Sequence, residues 1–441
     1  MPGFIGQTLR YYKRNGFTAT WYAVQERLWE KKHVKYSYTP PQEEELEKQR
    51  GKQYERKLKF SVIVPAYETP EVFLQDLFLS MADQTYTDHE VIIADASESR
   101  QVRRVTESFR EQYPWIVYLP LEKNEGISAN TNRALEAADG DYIALLDHDD
   151  MLTPDALWRM REEIDRNPDA VLLYSDEDKC DKYLERYFAP HRKRDFDPEL
   201  LLTNNYICHL SVYRADVIKS LKLRSDYDGA QDHDLLLRTA AQCRELYGKG
   251  WKERIRHVPY ILYHWRSHES STSSDPAAKD YAFEAGKRSI KEALAEQGIK
   301  ATLSDLPHLG FYRVEYEGGV FVQRPDVAMV GGPVIEKEKI CGGAMKADGT
   351  VLFDGLPEGF SGPMHIAALQ QSAEALDLKN MTLREELRPL YEKITEYAWP
   401  FPGDDNAQRR KDRSLKLCKK LREEGYTLLY DPQFTAGKED A

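Results

Sequence analysis

Residues 142–152, YIALLDHDDML, run a short apolar segment straight into Asp147, His148, Asp149 and Asp150. The apolar block fits a buried strand, so the acids crowd onto its carboxyl end. Three carboxylates this close repel one another, and the arrangement requires a cation, an anion-bearing ligand with its cation, or water. Comparable blocks lie on either side, FSVIVPAY, HEVIIAD, WIVYLPL and AVLLYSD, separated by helical stretches. Such alternation predicts βαβ units and an α/β fold with a mostly parallel central sheet flanked by helices. Ligands of open parallel sheets lie beyond the carboxyl ends of the strands. That rule singles out PAYE (65–68), DASES (95–99), NEGISANTN (124–132), DHDD (147–150) and SDED (175–178). The set is rich in acid and holds no GxGxxG or GxxxxGK[ST] loop, which excludes a dinucleotide-binding fold and a P-loop. A divalent cation bridging Asp149 to a diphosphate supplies another way to hold phosphate, and oxygen ligands of this kind suit Mg²⁺ or Mn²⁺.

A chain of 441 residues exceeds what one core supports, so several domains are expected. The net charge of -12 argues against a nucleic-acid-coating protein. Five scattered cysteines without a CxxC pair read as reduced structural thiols. No apolar run approaches the roughly 18 residues of a membrane span, and no signal-peptide core is visible. The expectation is a cytoplasmic protein, soluble or peripheral on the inner face of the cell membrane. Three parts are predicted: an N-terminal helical extension (1–58), an α/β domain (59–305) and a C-terminal module (306–441). In the extension Pro40 and Pro41 interrupt any helix, and the Glu/Lys/Arg run after them favours an exposed one. Before them, Phe4, Ile5, Leu9, Tyr12, Trp21 and Leu28 mix with Arg10, Lys13, Arg14 and Arg27. This mixture suits a helix lying on an anionic membrane, or one packed on its own protein.

The ordered segments VIVPAYE, IIADAS, NEGISAN, LLDHDD, GAQDHDLLLR and LYHWR resemble the family 2 glycosyltransferases, inverting enzymes of the GT-A fold that use nucleotide sugars. SDEDK, NYICHLSVYR and STSSDPAAK look like the bacterial branch that builds cell-surface polysaccharides. The resemblance covers residues 59–298 and implies a site. Pro65, Ala66, Tyr67 and Glu68 would line the nucleotide pocket, Asp95 would accept from the base, and Asn124, Gly126 and Asn130 would complete it. Asp147 and Asp149 match a DxD motif, the first toward the ribose with His148 beside it, the second on the metal. His264 is the candidate further metal ligand and Arg266 the candidate diphosphate contact, because Thr131 stands where many relatives have arginine. Asp232 is assigned as general base. Gln231, where the family usually has Glu, together with Trp265, Asp176 and Asp178, is assigned to acceptor or sugar, while Asp234 and Arg238 are read as structural. Residues 326–434 resemble the second half of a degenerate, non-catalytic family 2 domain.

The implied partners are a UDP- or dTDP-sugar and a glycan or lipid-linked glycan acceptor, with an oligomer allowed and no nucleic acid. Two rivals follow from other classes. A non-catalytic carbohydrate- or nucleotide-binding partner of a synthase complex has no need for both Asp149 and Asp232. A nucleotidyltransferase needs a glycine-rich loop after the first strand, where VPAYETPE stands.

Overall fold

Seven residues rich in Val and Ile, with one proline, build the first strand, β1 (Phe60–Ala66), and all but Pro65 are buried. Parallel to it on one side run β2 (His89–Asp95) and then β3 (Ile116–Pro120), and on its other side β4 (Tyr142–Leu145). The sheet continues through β5 (Met151–Leu152), β6 (Leu172–Asp181), β7 (Tyr187–His191), β8 (Ser211–Arg214) and β9 (Ile255–Ser267). Its order is β3-β2-β1-β4-β8-β6-β9-β5, with β7 beside β6. The expected parallel half is present. Beyond β4 the sheet is mixed, because β8 runs antiparallel to both β4 and β6, and β5 runs antiparallel to β9.

The helix Glu71–Ala82 buries Leu74, Leu77, Phe78 and Met81, spaced three and four apart, in the core with Phe60, Val62 and Val64. Each such side chain contributes about 1.5–3 kcal/mol on burial.

The computed structural model describes residues 4–33, 35–268, 276–404 and 406–437. Part of STSSDPAAK and the side chains of Phe4 and Ile5 lie outside the described residues. Two compact units form: one of residues 1–35, 197–204 and 294–441, the other of residues 36–196 and 205–293. The three-part division read from the sequence runs across them, since residues 36–58 fall in the unit with the nine-stranded sheet. There the helix Glu43–Arg50 buries Leu46 and Gln49. In the first unit the parallel strands Val327–Gly331 and Thr427–Tyr430 share a four-stranded sheet with Gln371–Ser372 and Met381–Leu383. Helix Ala407–Glu423 buries Leu417, Cys418 and Leu421 in that unit's core. Among the described residues no helix is long and apolar enough to cross a membrane.

One expectation about the sheet is corrected. SDED was read as a strand end, yet it lies inside the ten-residue β6, with register shifts against β9 between Ser175 and Glu177.

Gly140 sets how closely β4 approaches β1. Its N–H donates to Ser61 Oγ (2.9 Å), and Ser61 Oγ in turn donates to Glu90 Oε1 (2.5 Å). A Cβ there would stand 2.6 Å from the Ser61 backbone nitrogen and 2.8 Å from the Lys59 carbonyl oxygen, neither of which can swing away. Gly140→Ala is therefore expected to destabilise the fold by about 1–3 kcal/mol, as overpacking does. Urea unfolding checks this, and an unchanged midpoint contradicts so tight a β1–β4 contact.

Candidate functional site

The ends of β1 and β2 are laced together by side chains. Glu68, at φ 48°, receives the Ser99 N–H on its carboxylate (2.8 Å) and donates its own N–H to Ser97 Oγ (2.8 Å). Asp95 accepts the Ser97 N–H (2.9 Å) and the Tyr118 hydroxyl (2.8 Å). Pro65 and Ala66 lead into this corner, and the Tyr67 ring is 44% exposed there. Next, Asn124 Oδ1 accepts from Gly126 N–H (3.1 Å) and Asn130 Nδ2 (2.9 Å). Gly126, at φ 96°, precedes the helix Ile127–Ala137. A Cβ on it would stand 2.5 Å from Asp228 Oδ2. Asp228, not singled out by the sequence, accepts the Ser128 N–H in that helix's first turn (3.3 Å).

The DHDD turn uses each acid differently. Asp150 is fully buried and accepts the Tyr263 hydroxyl (2.5 Å) and the Arg266 N–H (2.7 Å). Burial and the Asp149 and Asp147 charges push its pKa well above the usual carboxylate range. Asp149 Oδ2 lies 2.7 Å from His268 Nε2, and its carbonyl accepts from Arg266 Nε (2.8 Å). Asp147 is only partly buried, with 38% of its side chain reached by solvent. Burial and Asp149 push it up to about 6, against the opposing influence of His148. The Nδ1 of His148 is buried without a hydrogen-bond partner among the described residues.

Opposite Asp147 stands the histidine of the segment NYICHLSVYR. His209 Nε2 is 3.5 Å from Asp147 Oδ2, with its ring stacked on Tyr263 (4.8 Å) and edge-on to Trp265 (6.0 Å). A buried ion pair grips its backbone. The His209 N–H donates to Glu177 Oε2 (3.2 Å), Lys193 Nζ donates to the His209 carbonyl, and Lys193 Nζ lies 3.3 Å from Glu177 Oε2. Burial alone would raise Glu177, but Lys193, His191 and His209 hold it down at about 2.

Asp232 lies in the first turn of the helix Gln231–Tyr247. Its pKa is raised by burial and by the Asp147 charge, with His209 opposing. Asp147, Trp265 and Asp232 are thus gathered around His209, and Asp232 feels its neighbours through charge and burial, not through a hydrogen bond.

Other assigned residues are not brought there. His264, the expected further metal ligand, has Nδ1 2.6 Å from Asp178 Oδ1 and its ring between Tyr38 and Tyr187, while His268 is the histidine at Asp149. Asp178 also accepts the Tyr36 hydroxyl (2.5 Å) and is fully buried. Asp176 accepts from His257 Nε2 and the Lys193 N–H, both at 2.8 Å. Both acids are thereby committed to internal partners, which corrects their assignment to acceptor or sugar. Gln231 is likewise taken up by the turn before its helix, accepting the Gly229 N–H (2.7 Å). Arg266 is buried and spoken for at Asp149, Asp76 (2.9 Å) and the Lys182 carbonyl (3.1 Å), with Nη2 left without a partner among the described residues. Asp234 pairs with Arg238 (2.7 Å) as a structural acid.

Asp149 and His268 offer a carboxylate oxygen and an imidazole nitrogen, donors that Mn²⁺ and Mg²⁺ accept. Among the described residues no group of three or more His, Cys, Asp and Glu is arranged to hold a metal.

Comparison with known proteins matches residues 61–222 to the family described as "Glycosyl transferase family 2". An uncharacterized protein, y4gI of Sinorhizobium fredii, is 37% identical over 56% of this chain and 27% of its own length. The O-antigen biosynthesis protein RfbC of Myxococcus xanthus is 32% identical over 58% of this chain and 19% of its own. The poly(ribitol-phosphate) beta-N-acetylglucosaminyltransferase TarS of Staphylococcus aureus is 29% identical over 37% of this chain and 28% of its own. The chain spans between about a fifth and about a quarter of the length of these relatives. Residues 61–222 are thus similar to the family 2 glycosyltransferases, and they lie within the helix-flanked, mixed α/β sheet.

Removing one member of a buried ion pair leaves a charge without compensation and costs about 3–5 kcal/mol. Lys193→Met is expected to destabilise the protein by that amount, and Lys193→Met with Glu177→Leu by less. Equal losses for the single and double variants, measured by chemical unfolding, would contradict the pairing.

Proposed function

We propose that the sheet-bearing unit transfers a sugar, with inversion, from a UDP- or dTDP-linked donor to a hydroxyl of a glycan or lipid-linked glycan in bacterial surface polysaccharide synthesis. What carries the reading is the gathering of Asp149 with His268 and of Asp232 with Asp147 and His209 beyond the end of β4. The names of RfbC and TarS, which refer to O-antigen and to a ribitol-phosphate polymer, support the surface-glycan acceptor class.

Tyr67 presents an exposed ring on which a base can stack, Glu68 and Asp95 rim the same corner, and the loop of Asn124, Gly126 and Asn130 closes the ribose side. Asp147, with His148 beside it, faces the ribose and its diphosphate. Asp149 and His268 would hold Mn²⁺ or Mg²⁺, which when bound neutralises charge on the leaving diphosphate. Arg266 Nη2, without a partner among the described residues, is the donor we assign to the diphosphate. Asp232 accepts the proton of the acceptor hydroxyl. The acceptor oxygen then bonds to the anomeric carbon as the bond from that carbon to the diphosphate oxygen breaks on the opposite face, and the nucleoside diphosphate departs with the electron pair. Trp265, edge-on to His209, offers an apolar wall to the sugar. The work is cytoplasmic, where nucleotide sugars are made.

Melting curves with UDP, dTDP, GDP and CDP, with and without Mn²⁺, test the site. One nucleotide should raise the melting temperature in a metal-dependent way in the wild type and not in Asp149→Ala. Asp232→Asn should keep that binding and lose about 10²–10⁴ in turnover with the donor so selected and extracted surface glycan as acceptor. Because the pKa of Asp232 is raised, turnover should fall on acidification through a pKa above the ordinary carboxylate value. Undiminished turnover in Asp232→Asn removes it as the base.

A further inference from the structure

The helix Phe4–His33 breaks at Gly16, whose φ of 77° and ψ of -176° are not helical. In the arm that follows, Phe17, Trp21, Val24 and Leu28 recur at intervals of four, three and four residues, so they form one stripe. Glu26 lies on the opposite face. It accepts the Ser361 hydroxyl (2.8 Å) and the Gly362 N–H (2.6 Å), and the neighbouring Tyr22 ring closes over Gly359. One face of the arm is therefore docked on its own unit, which answers the alternative of a helix that merely packs on its own protein. The other face is open: Phe17 is 70% exposed, Trp21 54% and Leu28 59%, with Phe17 and Trp21 stacked at 6.4 Å. In the preceding arm Leu9 and Tyr12 are also exposed.

Charge is distributed just as unevenly. Residues 1–35 hold seven Lys and Arg against two Glu, whereas the whole chain carries 62 basic against 74 acidic residues. Lys31 and Lys32 are exposed just beyond Leu28 in the same arm, and Arg10 and Lys13 are exposed in the arm before the break. Aromatic and aliphatic side chains flanked by lysine and arginine suit the boundary between lipid headgroups and acyl chains. A second copy of this surface would bring like charges together, so charge complementarity favours an anionic partner, and the protruding aromatics favour one they can enter.

We propose that the exposed stripe Phe17, Trp21 and Leu28, with its flanking lysines and arginines, docks the protein on an anionic phospholipid bilayer. This docking requires neither the metal nor the sugar transfer proposed above, and it is read without any activity.

The test is flotation of the full chain with vesicles of phosphatidylcholine alone or mixed with phosphatidylglycerol, at low and high salt, with size-exclusion chromatography in parallel. The wild type is expected to float with the anionic vesicles, to float less at high salt, and not to float with phosphatidylcholine alone. Phe17→Ser with Trp21→Ser, and separately Lys31→Glu with Lys32→Glu, should each weaken partitioning on the order of tenfold or more. The lysine pair is exposed, so its loss of binding cannot be laid to misfolding, and matching melting curves check both variants. The proposal is overturned by a wild type that stays with the soluble fraction, by variants that float as it does, or by a dimer that the Phe17 and Trp21 changes convert to monomer.

Discussion

Repulsion among Asp147, Asp149 and Asp150 is the constraint around which the sheet's far half is arranged. At about 4 Å, two unit charges in a medium of effective dielectric 20 cost roughly 4 kcal/mol. The fold relieves this by giving each acid a different environment. Asp150 is sealed in with the Tyr263 hydroxyl and the Arg266 N–H, Asp149 turns to His268, and Asp147 keeps access to solvent. All of these partners except solvent come from β9 or the residue just beyond it, so the long antiparallel return of β9 past β5 is what permits the acidic turn to exist.

That dependence explains what the sequence concealed. Strand blocks, the acidic turn and the polar corner at the ends of β1 and β2 were legible because apolar runs and the polar residues after them are local signals. The choice between His264 and His268 is not local. Met151 pairs with His264 and Leu152 with Tyr263, and running this register back through the turn sets Asp149 level with Arg266, with His268 just past the strand. At roughly 3.3 Å per residue, His264 sits about 13 Å short of His268 along the strand. Only the pairing register distinguishes two histidines that look equivalent in YHWRSH.

The acids of SDED were misplaced for a related reason. Charged runs usually mark a strand's end, but β6 carries Asp176, Glu177 and Asp178 through its middle, each matched by a basic or hydroxyl partner far away in sequence: His257, Lys193 and His264 with Tyr36. The register shifts there let neighbouring acids find separate partners. Glu177 in particular could not be recognised from spacing, because its partner Lys193 lies on the chain after β7 and its effect is on the backbone of His209.

His209 links the buried Glu177–Lys193 pair to the acids at the end of β4 and the start of the helix Gln231–Tyr247. Its backbone is clamped from below by a buried ion pair, and its ring lies against Asp147 and within electrostatic reach of Asp232. Clamping the backbone leaves the ring nitrogens undrawn upon, and Nδ1 is buried with no partner among the described residues. The substitution of glutamine at 231 fits this economy. Asp232 already feels the Asp147 charge, and a second carboxylate beside it would make its ionisation harder still, whereas a neutral amide can hold the Gly229 turn without adding charge. Two carboxylates, Asp147 and Asp232, already share the surroundings of His209, and a neutral residue at 231 keeps a third from joining them.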